Sequence, residues 1–293
     1  MDRNYIHPGL IATAVFALVL ASGCAGVHPL PGGNSTPASA GTPEGAVGLP
    51  EPSFNGNVSV EEALRERRSV RVYAEVPLTL SDLGQVLWAA QGVTNDRGYR
   101  TAPSAGALYP LEVYVVAGNI MGLEPGIYHY RPGEHLLIQT ASGDQRAALQ
   151  AAAVNQTSVG DAPVTIVIAA VPDRTTAKYG ERGMRYVSME AGHAAENVYL
   201  QAQAINLGTV TIGAFDDGEV REVLGLPGNT TPLYLMPVGR PVPGSGGDGG
   251  TPVFLYVVEP ADAAAEAGSG ERWRRGHSCG WRGMNAPNTI LAR

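Results

Sequence analysis

The sequence has few cysteines and no excess of basic residues. Cys24 and Cys279 are the only cysteines among 293 residues, and two cysteines so far apart exclude a zinc site built from cysteine ligands. Lys and Arg number 20 against 27 Asp and Glu, which gives a formal net charge of −7. Because proteins that bind nucleic acid neutralise phosphates with a positive surface, nucleic acid is not expected as a partner.

The N-terminal apolar run is too short to span a membrane. It covers residues 10–20, follows Arg3 and ends in Ala21-Ser22-Gly23, directly before Cys24. A run of this length suits the core of an export signal, whereas a helix that spans a bilayer needs about 20 residues. We therefore predict a signal peptide over residues 1–23.

Small residues directly before a cysteine are typical of a lipobox, in which the thiol is acylated after cleavage. This pattern predicts lipidation of Cys24 and an exported protein held on the outer face of the cell membrane by its N-terminal lipid. The alternatives are an ordinary cleaved signal and an uncleaved anchor, with Cys24 incidental in both. If Cys24 carries lipid, it cannot form a disulfide with Cys279.

Composition divides the rest of the chain into three parts. Residues 24–56 are rich in Pro, Gly, Ser, Thr and Ala, so they bury too little apolar surface to offset their ordering entropy and are predicted to be a disordered tether. Residues 57–260 are long enough for one domain with a substantial core. Residues 261–293 show no apolar period and are predicted to be a disordered tail.

Hydrophobic period and capping signals predict helices interleaved with strands. The helices are expected over 59–67, 81–92, 144–153, 184–206 and 216–224. The first would have a capping box of Ser59 and Glu62, and the fourth would stop at Gly208. The strands are expected over 111–117, 126–130, 136–140, 164–171, 209–212, 233–238 and 253–258. Because the order lacks regular βαβ alternation, the fold class is α+β, with one central mixed or antiparallel sheet flanked by helices.

An arginine cluster follows the first predicted helix. Arg67, Arg68, Ser69 and Arg71 stand within five residues, and guanidinium forks match the oxygens of a phosphate. The alternative is a solvated basic helix end, where positive charge is favourable against the helix dipole.

Three further segments contain candidate site residues. The small residues of the 101–110 loop let backbone approach closely, with Ser104 as a donor, although a plain loop before a strand is the alternative. Gly192 lies inside a helix, where it needs a packing or ligand reason, and the adjacent His193 is more often a hydrogen-bonded core residue than a catalyst. A predicted strand ends near Gly239, and Arg240 directly after it adds another arginine.

These four motifs in this order, over residues 59–241, resemble the nitroreductase family. They are the Arg-Arg-Ser-Val-Arg segment, the Pro-Ser-Ala-Gly-Ala-Leu-Tyr-Pro loop, the Glu-Ala-Gly-His helix and the Pro-Val-Gly-Arg-Pro strand end. More narrowly they are similar to its SagB-type dehydrogenase branch, whose members include oxidases that turn azolines into azoles. The resemblance implies a nitroreductase-like fold that binds FMN at the interface of a homodimer, with a small-molecule or peptide substrate.

The resemblance also assigns residues. Those expected to bind FMN are Arg67, Arg68, Ser69, Arg71, Pro103, Ser104, Ala105, Gly106, Leu108, Glu190, Ala191, Gly192, Gly239 and Arg240. The 103–108 loop would lie against the flavin that is bound mainly by the other subunit. Lys178 and Tyr179 occupy the place of a Lys-Tyr pair that serves as base in the azoline-oxidising branch; the alternative is a surface lysine beside a packing tyrosine. No metal is expected.

Together these features predict an FMN-dependent oxidoreductase that transfers hydride between its substrate and FMN. Two other classes of protein stay open. One is a lipoprotein that binds flavin or another small ligand without turnover, and the other is a structural envelope protein that has lost its cofactor. An exported protein would not meet NAD(P)H, so the sequence leaves its electron partner undefined.

Overall fold

In the computed structural model of the chain, residues 45–242 are described. The helices in this range are α1 (Val60–Glu66), α2 (Leu80–Gln91), α3 (Arg146–Ala152), α4 (Thr157–Asp161), α5 (Asp173–Tyr179), α6 (Arg182–Ala204) and α7 (Asp217–Leu224). The strands are β1 (Ala46–Gly48), β2 (Leu78–Thr79), β3 (Leu111–Ala117), β4 (Ile120–Met121), β5 (Gly126–Arg131), β6 (Leu136–Ser142), β7 (Val164–Ala170), β8 (Gly208–Thr209) and β9 (Thr231–Gly239).

Seven of these strands form one sheet in the order β1-β6-β5-β3-β7-β9-β8. Every neighbouring pair in it is antiparallel. The short β2 and β4 pair separately and in parallel. The predicted α+β class with one central sheet is therefore confirmed, and so is the predicted β5–β6 hairpin.

Helices cover both faces of the sheet. On β3, Val113 and Val115 belong to a core shared with α2 and α6, whereas Tyr114 and Val116 belong to a second core shared with α3, α4 and α7. Successive side chains of a strand point to opposite faces, so this alternation assigns one core to each face. All seven residues of β7 are buried, as expected for a strand that is covered on both sides.

Two predicted helix starts differ in detail from the structure. Ser59 caps α1 as expected, because its hydroxyl accepts from the Glu62 N–H at 3.1 Å. The reciprocal capping box occurs instead at α2, where Thr79 and Asp82 bond each other's backbone N–H. The second helix therefore starts at Leu80, ahead of the expected Ser81.

The long helix ends differently from the prediction. It stops at Ala204, and Asn206 adopts the left-handed conformation with φ +59° that was expected of a glycine cap. Gly208 instead pairs with Gly239 in the sheet. Val70 fills the space beside it, since a Cβ at Gly208 would lie 2.6 Å from Val70 Cβ.

The predicted tether over residues 24–56 is wrong at its C-terminal end. Val47 of β1 pairs with Leu137 of β6, and the buried Leu49 donates its N–H to the His135 carbonyl at 3.1 Å. The composition of residues 46–48 does not indicate a strand, because this strand depends on pairing with β6, which comes much later in the chain.

The remaining terminal predictions lie outside the described residues. They are the signal peptide over 1–23, the lipidation of Cys24, the strand over 253–258 and the tail over 261–293. Within residues 45–242, no helix combines the length and the apolar character needed to cross a bilayer.

Candidate active site

The arginine cluster lies where α1 ends and the chain enters the edge of the sheet. Ser69 bridges to Thr209 of β8, and the Val70 N–H donates to the Thr209 carbonyl at 2.9 Å. Val70 is buried, while Ser69 and Arg71 stay exposed beside it. Sheet pairing therefore fixes the backbone that presents this hydroxyl and this guanidinium.

The three arginines of the cluster have different surroundings. The Arg67 guanidinium lies over the Tyr199 ring, 4.9 Å from its centroid, and Arg67 Nε is 4.0 Å from a Glu196 carboxylate oxygen. Arg68 folds back and donates to the carbonyls of Arg65 and Arg67, so it caps the end of α1. Arg71 has no carboxylate partner within residues 45–242.

Tyr199 connects this cluster to α6. Its hydroxyl lies 3.2 Å from Ser69 Oγ and accepts from the Thr211 N–H at 2.8 Å. The sequence analysis missed Tyr199. Its position seven residues after Gly192 on one predicted helix was the signal that could have found it, because this spacing returns to the same helix face.

Arg240 follows β9 and reaches α2. Its Nη2 donates to Asp82 Oδ2 at 3.2 Å, and the same oxygen accepts from the Thr79 hydroxyl and N–H. Gly239 allows the close approach of Tyr73, since a Cβ there would lie 2.8 Å from Tyr73 Cδ1. The Arg240 guanidinium thus has a structural partner in addition to any ligand.

The 103–108 loop is held in a tight turn beside Lys178 and Tyr179. A 3₁₀ turn covers Ala105–Ala107, and Gly106 has φ +65°. Ser104 Oγ accepts from the Tyr109 N–H at 2.9 Å and closes the loop. A Cβ at Gly106 would lie 2.7 Å from the Tyr179 hydroxyl and 3.0 Å from Lys178 Nζ.

The structure therefore places Lys178 and Tyr179, the predicted base residues, against the predicted loop of the same chain. Lys178 and Tyr179 end α5, a helix that the sequence analysis did not predict. The Tyr179 ring packs edge-on against Tyr186 of α6, with 5.2 Å between centroids. Lys178 is exposed, and its Nζ lies 5.4 Å from the Tyr179 ring centroid.

Glu190 is a buried carboxyl on the same side of α6. It is 2% exposed, and its Oε1 has no hydrogen-bond partner among the described residues. Burial raises the pKa of Glu190 to about 7, against the lowering effects of the nearby Ser104 hydroxyl and the Arg100 charge. A carboxyl with this pKa can hold or release a proton near neutrality.

The three residues of the predicted Glu190–Gly192 segment point in different directions from α6. Ala191 is buried in the core that α6 shares with the sheet, so its side chain faces no ligand. Gly192 is half-buried, and no other part of the chain comes within 4 Å of a Cβ built there. The three residues therefore face three directions.

A polar cluster that the sequence analysis missed ties α5 to this loop. Both carboxylate oxygens of Glu112 are engaged, one by His129 Nε2 at 2.6 Å and the other by Arg174 Nη2. Arg174 also donates to the Tyr109 carbonyl at 3.0 Å. Burial raises the pKa of Glu112, but the hydrogen bonds from His129 and Arg174 outweigh it and hold that pKa below its usual range.

Within the part of the chain that the structure describes, no group of His, Cys, Asp and Glu side chains could hold a metal ion.

Known proteins share this fold and sequence pattern. A protein of Methanocaldococcus jannaschii named as a nitroreductase is 48% identical over 185 residues, 63% of this chain and 92% of that protein. The microcin B17-processing protein McbC of Escherichia coli is 27% identical over 143 residues, 47% of this chain and 53% of that protein. The crystal structure of a protein of Ralstonia eutropha named as a nitroreductase superposes with a TM-score of 0.61 at 31% identity, covering 69% of this chain and 92% of that one.

The model of the nitroreductase family matches residues 64–240, which contain the arginine cluster, the 103–108 loop, Lys178, Tyr179, Glu190 and Arg240. The span runs from the middle of α1 to the end of β9 and so includes the arginine cluster, the 103–108 loop, α5 and α6. This chain belongs to the nitroreductase family.

Proposed function

We propose that this protein is an FMN-dependent oxidoreductase that transfers hydride between FMN and a small organic or peptide-derived substrate. The observation that carries the proposal is the meeting of Lys178, Tyr179 and the buried Glu190 around the 103–108 loop. Titratable groups with unsatisfied or exposed polar atoms beside a strained loop are typical of a catalytic pocket. Membership of an oxidoreductase family supports the reaction class.

The residues of the arginine cluster fit FMN. Arg67 and Arg71 offer guanidinium donors for a phosphate, and the Ser69 hydroxyl stands between them. The open backbone at Gly192 allows a flat ring to lie against α6, because no side chain intervenes. Arg68 caps α1 instead, so we assign it a smaller part in binding than the other two arginines.

When bound, FMN would supply the hydride acceptor or donor. Lys178 would take or return the substrate proton at Nζ, and the Tyr179 hydroxyl would orient the substrate by a hydrogen bond. The Glu190 carboxyl would hold a proton within the pocket near neutral pH. Ser104 would hold the loop beside that carboxyl, since its hydroxyl accepts from the Tyr109 N–H and lies near Glu190.

A homodimer completes the proposal, with FMN at the interface. The 103–108 loop carries small residues that a ligand of a second subunit could approach. Light scattering of the purified protein should give the mass of two chains. A strictly monomeric particle with stoichiometric FMN would contradict it.

Flavin content tests the proposal first. The purified protein should be yellow, and the ligand released by heat should have the mass of FMN. Arg67→Ala or Arg71→Ala should weaken FMN binding about ten- to a hundredfold, because a charged hydrogen bond to phosphate is worth about 1.5–3 kcal/mol. Arg131→Ala, at the end of β5, is the matched control and should bind FMN normally. Riboflavin, which lacks the phosphate, should bind much more weakly than FMN.

Turnover tests the catalytic residues. Lys178→Ala should lower the rate by at least about a hundredfold while FMN content stays normal, since general-base catalysis is typically worth about 10²–10⁴ in rate. An anaerobic screen of electron donors and of azoline-containing peptides supplies the assay. A flavin that dithionite reduces but no donor or substrate reduces would instead favour a flavin-binding protein without turnover.

We also propose export and lipid anchoring at Cys24, for which the support is the sequence pattern alone. Cys24→Ser should release the protein from membranes. Continued membrane retention with an intact N-terminus would show an uncleaved anchor.

A further inference from the structure

Arg100 ends a short hairpin that leads from α2 to the 103–108 loop. Its backbone forms an antiparallel bridge with Val93. The next residue, Thr101, donates its N–H to the Gly92 carbonyl at 3.0 Å. Backbone pairing therefore fixes the position from which the Arg100 side chain extends.

Two other side chains hold the Arg100 guanidinium. Its Nη1 donates to Oε1 of the fully buried Gln91 at 2.8 Å. The guanidinium also lies over the Tyr109 ring, 4.6 Å from its centroid. Both contacts come from fixed positions, since Gln91 ends α2 and the Tyr109 N–H donates to Ser104 Oγ. The guanidinium is therefore pre-oriented and has little side-chain entropy left to lose when it binds a ligand.

Tyr109, which supports Arg100, has a backbone conformation that tyrosine rarely adopts. Its φ is +46°, in the left-handed region, where the Cβ crowds the following carbonyl oxygen. Ser104 Oγ, which accepts from the Tyr109 N–H, and Arg174, which donates to the Tyr109 carbonyl at 3.0 Å, hold the residue in this conformation. Strained residues of this kind cluster at ligand-binding and catalytic sites. The strain at Tyr109 therefore indicates a functional reason for the ring that supports Arg100.

Arg100 differs from the other half-buried arginines in the described part of the chain, because no carboxylate pairs with it. Arg67, Arg146 and Arg240 each have a carboxylate oxygen within 4.0 Å. Arg221 donates to two backbone carbonyls. By contrast, Nε and Nη2 of Arg100 bond to no described residue and are not fully buried, so a ligand can reach them. A partly desolvated cation with free donors is typical of an anion-binding site.

The acidic side chains near Arg100 leave its charge available to a ligand. Those that act on it electrostatically are Glu112 and Glu190. Both carboxylate oxygens of Glu112 are already bonded, one to His129 and the other to Arg174. Glu190 has a pKa of about 7, so it is largely protonated below neutral pH. Neither carboxyl therefore occupies the free edge of the Arg100 guanidinium.

The loop that contains Gly106 connects Arg100 to the proposed base. Gly106 lies against Lys178 and Tyr179, and Tyr109, three residues further on, contacts Arg100. Three residues of chain span at most about 11 Å. A substrate that lies along this loop can therefore reach both the guanidinium and the base.

We propose that Arg100 binds a carboxylate of the substrate and so makes the protein select acidic substrates. Nε and Nη2 form a fork whose donors match the two oxygens of a carboxylate. A carboxylate held there leaves the rest of the substrate free to extend along the loop toward Lys178. The inference rests on the proposed function and adds to it the chemical class of the substrate, an organic acid or a peptide with a free carboxylate.

Paired acid and amide probes test the proposal. Benzoate, benzoylglycine and benzoylglycylglycine carry a carboxylate at increasing distances from a flat group that can stack on the flavin, and their terminal amides lack the charge. In calorimetric titrations of the FMN-loaded protein, at least one acid should bind about ten- to a hundredfold more tightly than its amide. The length that binds most tightly distinguishes a small organic acid from the end of a peptide. No preference for any acid over its amide would overturn the proposal.

Arg100→Gln should remove the preference, because it weakens binding of the acid and leaves binding of the amide unchanged. Arg97→Gln is the matched control, since Arg97 is exposed in the same hairpin and its side chain bonds to no described residue. Arg100→Lys, which keeps the charge but not the fork, should retain only part of the preference. A preference that stays complete in both Arg100 variants, or that Arg97→Gln removes equally, would overturn the role of Arg100.

The proposed function fails by a different result. Protein without flavin, or a flavin that no donor or substrate reduces, would overturn the oxidoreductase proposal, whereas the acid preference is measured by binding alone. Protein that binds FMN and turns over but treats each acid and its amide alike would overturn only the assignment of Arg100.

Discussion

Gly106 lies so close to Tyr179 that a side chain at this position would have to displace the Tyr179 hydroxyl and the Lys178 ammonium group. A Cβ there would lie 2.7 Å from the Tyr179 hydroxyl and 3.0 Å from Lys178 Nζ. The backbone at Gly106 also has φ +65°, a conformation that costs other residues about 1–2 kcal/mol. The glycine therefore sets the distance between the loop and the two residues of the predicted base.

Gly106→Ala should displace Tyr179 and Lys178 and lower turnover at least about tenfold. Gly98→Ala is the matched control, because Gly98 also has a positive φ, +76°, but nothing lies within 4 Å of a Cβ there. Both variants should lose about 1 kcal/mol of stability, and only Gly106→Ala should lose activity. Steady-state rates and thermal melts check this, and equal turnover in the two variants would contradict the catalytic role of the contact.

Glu190 should make the stability of the protein fall as pH rises from about 4.5 to about 7. Its pKa is about 7 in the folded protein and near 4.5 when unfolded, so the folded state binds more protons between these values. The stabilisation is present below about pH 4.5 and is lost as pH rises to about 7. It amounts to a few kcal/mol at most, since each pKa unit is worth about 1.4 kcal/mol.

Glu190→Gln should remove this dependence. We expect the variant to gain stability relative to wild type at pH 8 and to lose that advantage at pH 5, measured by urea unfolding across pH. Glu219→Gln, an exposed position in the first turn of α7, is the control and should leave the difference between the two pH values unchanged. A wild-type curve parallel to that of Glu190→Gln would show that Glu190 is already ionised when folded.

Glu112 should position α5 and with it Lys178. Glu112→Gln weakens the bonds from Arg174 and His129, which hold α5 near the Tyr109 carbonyl. We expect a loss on the order of 1–3 kcal/mol and a fall in kcat with little change in KM. Because the carboxylate has a lowered pKa, its contribution is present above its ordinary pKa and is lost as pH falls through the lowered pKa.

Asp144→Asn is the control for Glu112→Gln. Asp144 also pairs with an arginine, Arg146, and its pKa is also lowered, mainly by the hydrogen bond from that residue. The pair lies at the start of α3, on the opposite face of the sheet from α6. Its loss should leave kcat unchanged, and an equal fall in kcat in both variants would contradict the positioning role of Glu112.

Gly208→Ala should displace Val70 and so shift the backbone of the arginine cluster. The added Cβ would lie 2.6 Å from Val70 Cβ, and Val70 stands between Ser69 and Arg71. Overpacking of this kind costs about 1–3 kcal/mol, and FMN affinity should fall with stability. Gly48→Ala, in edge strand β1 with nothing within 4 Å, should change neither. Calorimetric titration with FMN distinguishes the two variants.

Elements with strong local signals were predictable from the sequence. The apolar run of β7, the hairpin of β5 and β6 and the length of α6 follow from period and turn residues that lie within each element. The short α4 and α5 were missed because they have only five and seven residues, and too few of these are apolar to show a helical period. β1 was missed because a strand of three residues is stable only when a distant edge pairs with it.

The same division holds for the site. The sequence by itself determined the composition of the arginine cluster, the small residues of the 103–108 loop and the Lys178–Tyr179 pair, because each is a contiguous motif. Only the tertiary structure decided which other residues contact these motifs, since Tyr199, Arg100 and Glu112 come from other elements. It also decided which flank of α6 each motif occupies. That choice depends on α1 and β8 packing beside Tyr199 and on the 103–108 loop packing beside Glu190, and such contacts join residues too far apart in the chain for any local pattern to specify.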